Sequence, residues 1–172
     1  SALRLNVGSS LKTNDPNIIK ELVNLMLTYK EKFAFPLDAI VTTTYSNHPE
    51  MKNINEIDTN DVIKDIGTKT IKKYGTIIKE SNTIFMNGTM GIYEEKAFAN
   101  GTREILNILS TKNDQVVIGG GDTVGALNTL GFKNEFKNVS SGGGATLEYI
   151  ANGSLPGIDA IREEDDIEVL DL

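Results

Sequence analysis

Gln115–Ile118 (QVVI), then Gly119-Gly120-Gly121, then Asp122-Thr123: this stretch decides the fold. A short apolar run reads as a buried strand, and the residues after the glycines read as a helix, Thr123–Leu130, stopped by Gly131. The pattern returns downstream. Phe136–Ser140 (FKNVS) leads into Gly142-Gly143-Gly144, and Ala145–Ala151 follows as a helix stopped at Asn152-Gly153. Residues without a Cβ let backbone N–H groups converge on a ligand. Where a helix starts at that point, its unpaired amides and the positive end of its dipole face the same way. Such a turn suits a phosphate.

Working outward, the upstream chain keeps the same rhythm. Thr83–Met86 reads as a strand, Asn87–Tyr93 as a glycine-containing turn, and Glu94–Leu109 as a helix with Phe98, Ile105, Leu106 and Leu109 inward. Asp65–Lys69 opens a helix over roughly Thr68–Lys79. Phe33–Val41 reads as a buried strand, and Thr42–Asp61 as a polar loop with little regular structure. Asp15-Pro16 starts a helix ending near Lys32, with Ile18, Ile19, Leu22, Val23, Met26 and Leu27 at helical spacing. Strand alternating with helix implies parallel pairing and right-handed crossovers, hence a layered α/β sheet. Four strand-exit loops then share one edge: 65–69, 87–94, 119–123 and 140–146.

Composition narrows the class. The chain has 172 residues, 39% of them hydrophobic, with no Trp and no Cys. Disulfides, thiolate metal sites and Cys nucleophiles are therefore excluded. No apolar run approaches the roughly 18 residues of a membrane span, and the N-terminus lacks an export-signal pattern; a cytoplasmic location is the expectation. Formal net charge is −7, of which Arg162–Leu172 (REEDDIEVLDL) contributes −5. That end reads as a solvated acidic tail, and the absence of a basic stripe argues against nucleic acid.

Several residues admit two readings. Asp122 could cap its helix, or face a Mg²⁺ held by phosphates. Glu94 could be a first-turn acid favouring the helix dipole, or accept hydrogen bonds from a ribose. His48, the only histidine, reads as a surface turn residue, with no nucleophile elbow to complete a triad. Neither triplet is a Walker loop or a Gly-x-Gly-x-x-Gly turn. Clustered zinc ligands are absent.

Asn87–Glu94 (NGTMGIYE), Val117–Thr123 (VIGGGDT) and Val139–Glu148 (VSSGGGATLE) together resemble phosphoglycerate kinase. Leu155-Pro156-Gly157, Asp65–Thr70 (DIGTKT) and Ala2–Leu11 (ALRLNVGSSL) extend the resemblance in register, from Ala2 to about Ile161. It implies phosphoryl transfer between 1,3-bisphosphoglycerate and ADP, giving 3-phosphoglycerate and ATP, with Mg²⁺. It also implies a Rossmann-like three-layer α/β/α parallel sheet, here incomplete. Residues 1–161 would belong to the nucleotide-binding C-terminal domain, with 162–172 as the tail. Gly67, Asn87, Thr89, Met90 and Glu94 would line the adenosine pocket, Glu94 on the ribose hydroxyls. Gly119, Gly120, Gly121, Asp122 and Thr123 would meet the phosphates, Asp122 through the metal. Gly121, Gly143 and Gly144 would lie near the group in transit. Met86 stands where the family usually has Trp, and Thr89 where it has Pro.

The resemblance further implies a segment of a larger enzyme, inactive alone, whose glycerate domain and remaining parts come from elsewhere. In the family's strand order, 3-2-1-4-5-6, Phe33–Val41 would be the third strand, left without a neighbour. A noncatalytic ADP- or ATP-binding module is the alternative.

Overall fold

The computed structural model describes residues 7–10 and 15–164. Most of the acidic tail lies outside the described residues, as does most of the Ala2–Leu11 match; Arg162–Glu164 continue the last helix.

Three strands form the expected parallel sheet: β4 (Ile84–Asn87), β5 (Val116–Gly119) and β6 (Asn138–Ser140), in the order β4-β5-β6. Register aligns Asn87 with Gly119, and Gly119 with Ser140, so the three strands end level. Helices α3 (Asn100–Ser110), α4 (Gly121–Leu130) and α5 (Gly143–Asn152) alternate with them, and α6 (Pro156–Glu164) closes the described chain. Helix α2 (Thr68–Glu80) precedes β4 and packs on α3. The core joins Met86, Ile105, Leu106, Leu109, Val116, Ile118, Leu127, Phe132 and Phe136. Leu106, Val116 and Ile118 are fully enclosed, each such side chain contributing about 2 kcal/mol of burial.

The segment before α2 departs from the sequence reading. Instead of a lone third parallel strand over Phe33–Val41, the chain forms β1 (Asp38–Thr43) at the centre of a second, antiparallel sheet. Its neighbours are β2 (Ser46–Asn53) and β3 (Asp61–Ile66), both inside or bordering the stretch expected to be loop. Strand β2 is invisible to periodicity because it is an exposed edge carrying Pro49, beside a register shift between Val41 and Thr43. His48 therefore stands on a strand rather than in a turn, and is exposed. Ala39, Val41 and Ile57 form this sheet's own small core.

Helix α3 begins later than Glu94, after a 3₁₀ turn at Lys96–Phe98. Helix α1 (Pro16–Thr28) starts as expected, capped by Asp15 through the Asn17 amide. It ends at Thr28, with a 3₁₀ turn over Lys30–Lys32. None of its residues is buried; Ile18, Leu22 and Leu25 are 39–47% exposed. Its apolar face stays largely exposed and joins neither core. Strand β4 likewise pairs on one side only.

Candidate functional site

Four helices start on strand-exit loops, and they differ in what occupies their N-terminal amides. At α2, buried Asp38 accepts from the amides of Lys69 (2.9 Å) and Thr70 (2.8 Å) and from the Thr70 hydroxyl (2.7 Å). Burial alone would raise this carboxyl, but those donors outweigh it and hold it below the ordinary aspartate range. At α3, buried Asp65 accepts from the amides of Gly101 (2.6 Å) and Ile66 (2.8 Å). Here burial wins and pushes the carboxyl up, despite the two amides. Each of these helices carries its own anion, delivered by a strand of the antiparallel sheet.

Helices α4 and α5 carry none. The N-cap of α4 is Gly120, with no side-chain cap, and that of α5 is Gly142, also without one. Among the described residues the amides of Gly121, Asp122 and Thr123 have no acceptor, nor do those of Gly144 and Ala145. Asp122 is thus not an N-cap. It occupies the first turn with an exposed side chain. Nor is Glu94 a first-turn acid, since α3 starts at Asn100.

The two uncapped starts meet. A Cβ added to Gly143 would fall 2.8 Å from the Gly120 Cα, and the Gly120 amide donates to the Ser140 carbonyl (3.1 Å). Backbone touches backbone, so both triplets open at one point. Within the triplets the glycines divide by role. Gly119 makes room for the Phe85 ring, and Gly120 has φ +96°, with a Cβ position 2.4 Å from Asn87 Oδ1. A Cβ on Gly121 or Gly144, in contrast, meets nothing within 4 Å. Nothing among the described residues requires glycine at those two helical positions.

Asn87 faces this meeting point; its Oδ1 lies against both Gly120 and the Cβ position of Gly143. The Gly88 amide donates to Thr123 Oγ1 (2.8 Å), so the buried Thr123 also braces the 87–94 loop. Thr102 Oγ1 accepts from the amides of Met90 (3.0 Å) and Gly91 (3.3 Å), and the Ile92 amide bonds Lys64 O. The loop is held from three sides. Thr89 and Met90 are half-buried, Met90 packing on the core, while Glu94 is exposed. Gly67 sits buried at the N-cap of α2, packed on the Asp38 carboxylate.

Asn87 and Met90 also border an apolar groove of about 330 Å³ along the free edge of β4, continued by Tyr74, Ile77, Ile78 and Phe85. Gly67, Thr89 and Glu94 do not line it. For a cation the donor set is simple. Among the described residues no three His, Cys, Asp or Glu side chains converge. Asp122 offers one exposed, uncapped carboxylate beside free amides. One carboxylate completed by phosphates and water fits Mg²⁺.

A family model described as phosphoglycerate kinase matches residues 1–153. The chain belongs to the phosphoglycerate kinase family. A phosphoglycerate kinase of Finegoldia magna is 40% identical over 161 residues, covering 92% of this chain and 41% of that protein. One from Dictyoglomus turgidum is 35% identical over 167 residues, covering 95% of this chain and 42% of that protein. The solved phosphoglycerate kinase of Coxiella burnetii superposes with a TM-score of 0.81 at 30% identity, covering 92% of this chain and 42% of its own. That of Pyrococcus horikoshii gives 0.71 at 25% identity, covering 85% and 36%. The chain thus spans about two-fifths of the curated relatives it matches.

Sequence reasoning missed Asp38, Asp65 and Thr102. Their partners lie in other elements, 32, 36 and 12 residues away, and so leave no local motif.

Proposed function

We propose that this chain is the nucleotide-binding part of a phosphoglycerate kinase, moving a phosphoryl group between 1,3-bisphosphoglycerate and ADP. The observation that carries the reading is the contrast among helix starts. Two are satisfied by internal carboxylates; two, side by side, keep their amides for an outside anion. Gly121 and Gly144 leave space there that packing does not need.

Phosphoryl transfer asks the protein for in-line positioning and charge stabilisation rather than for a general base. The amides of Gly121, Asp122 and Thr123 would hold the phosphates of ADP or ATP, with Gly119 and Gly120 shaping their approach. Those of Gly144 and Ala145 would face the transferred group, beside Gly143, whose own amide donates to the Ser141 carbonyl (3.1 Å) and whose missing side chain lets the two loops touch. Asp122 would hold Mg²⁺, which supplies further neutralisation of phosphate charge when bound. Gly67, Asn87, Thr89, Met90 and Glu94 would form the adenosine side, with Glu94 accepting from the ribose hydroxyls.

The glycerate-binding half would come from the remainder of the enzyme, so this chain alone is expected to be inactive. The free β4 edge, its apolar groove and the uncovered face of α1 fit a chain meant to be covered by more protein. The cytoplasm is the proposed location, as for a soluble metabolic enzyme. The alternative is a noncatalytic ADP- or ATP-binding module that uses the same loops.

Titration with Mg-ADP tests the site. The parent should bind, and Asp122→Ala should weaken binding at least about tenfold, the loss of one charged contact. Equal affinities would contradict the assignment. Adding the missing portion of a relative and assaying 3-phosphoglycerate phosphorylation separates enzyme from passive module.

A further inference from the structure

The 87–94 loop is fastened at two places, and the two belong to different halves of the site. At its entry the Gly88 amide donates to Thr123 Oγ1 (2.8 Å) and Asn87 Oδ1 lies against Gly120, so this end is tied to the glycine triplets. Gly88 itself has φ +98°, with nothing within 4 Å of its Cβ position. It is a joint with room to turn.

From Met90 onward the loop is held by α3 and β3 instead. The wholly buried Thr102 accepts at Oγ1 from the amides of Met90 (3.0 Å) and Gly91 (3.3 Å), one oxygen serving two donors. The Ile92 amide donates to the Lys64 carbonyl (3.0 Å). Behind Gly91 stands the Asp65 carboxylate; a Cβ on Gly91 would fall 2.5 Å from Asp65 Cγ. That carboxylate has nowhere to go, being buried and bonded by the amides of Gly101 and Ile66. Thr102 makes no such bond to the start of α4 or α5.

We propose that Thr102 is a positioning residue for the nucleoside: its hydroxyl, with Asp65 behind Gly91, sets where Thr89 and Met90 stand, independently of the phosphate-binding helix starts. This rests on the nucleotide-site reading above, in which Thr89 and Met90 lie on the adenosine side. Valine at 102 would keep the shape of threonine and remove the acceptor. Two part-buried amides would then lose their partner, and the loop would turn at Gly88 to find another.

Titrations with Mg-ADP and Mg-pyrophosphate test this, because pyrophosphate carries phosphates without the nucleoside. The parent should prefer Mg-ADP by at least about tenfold. Thr102→Val should weaken Mg-ADP about tenfold and leave Mg-pyrophosphate within about twofold. Thr102→Ser, which retains the acceptor, should keep the parent's ratio. Gly91→Ala reaches the same seat from the loop side, pushing the loop off Asp65 with every hydrogen-bonding group retained. It should reproduce the valine pattern, and it carries the test if Thr102→Val does not fold. A merely structural role would weaken both ligands together, so an unchanged ratio in Thr102→Val or Gly91→Ala overturns the inference. A serine variant as impaired as valine does the same. A parent that binds both probes equally, or neither, refutes the site reading itself, and the positioning role with it. The parent's own preference tells the two failures apart.

Discussion

Asp38 shows how a single carboxylate can be structural at a place where helix dipoles invite function. It takes three donors at the start of α2 and is almost wholly enclosed. Its folded-state carboxyl is held below its unfolded value, so the stabilisation is present above the unfolded value and lost as pH falls through the folded one. Asp38→Ala should cost about 2 kcal/mol in urea unfolding near pH 7, and flatten the acid side of the stability profile. Asp65 acts with the opposite sign. Its carboxyl is raised by burial, so stability declines as pH rises from the unfolded value through the folded one. Asp65→Asn keeps an acceptor for the Gly101 amide and should remove that decline; a profile unchanged by Asn at 65 would count against the burial argument. Neither residue announced itself in the chain, because capping from a distant strand has no local pattern. The glycines did, but only as triplets. That Gly119 and Gly120 serve Phe85 and a left-handed turn, while Gly121 serves neither, needed the third dimension.

Among the elements, the parallel strands and their helices were legible because apolar runs and glycine stops coincide. Helix α4 ends at Gly131 and α5 at Gly153, both with positive φ, as their positions in the sequence implied. The antiparallel sheet was not legible. Strand β2 is SNHPEMKN, polar and exposed over most of its length, so no alternation marks it. The end of α2 was also silent. There Lys112 Nζ donates to the carbonyls of Lys79 (2.8 Å) and Ser81 (2.5 Å), with Ile78 at 3.4 Å, tying α2 to the turn before β5. A cation on the last carbonyls of a helix offsets their unpaired lone pairs and the dipole. Lys112→Met, which keeps the stem and removes the charge, should destabilise the chain by about 1–2 kcal/mol. Hydrogen exchange should show the last turn of α2 opening first. Unchanged protection there would refute the clamp.

For the molecule as a whole, two cores are joined through α2, α3 and the caps delivered by Asp38 and Asp65. Folding of the antiparallel sheet thus sets where α2 and α3 begin, and leaves the starts of α4 and α5 to the parallel half. The uncovered α1 face and the β4 edge should bind a hydrophobic dye and promote self-association. Adding the missing portion of a relative should suppress both; persistence of dye binding in a complex that restores activity would argue against that covering. The acidic balance of the chain, −7 overall, should keep association salt-sensitive rather than immediate.

The central claim is that the starts of α4 and α5 are kept open for nucleotide phosphates. Its most direct test is paired unfolding and Mg-ADP titration of Gly121→Ala and Gly144→Ala. Each new methyl enters empty space within a helix, so stability should hold or rise by up to about 1 kcal/mol. Nucleotide affinity should nevertheless fall at least about tenfold, because the methyl takes the place of a phosphate oxygen. Variants as stable as the parent that bind Mg-ADP equally well would contradict the account.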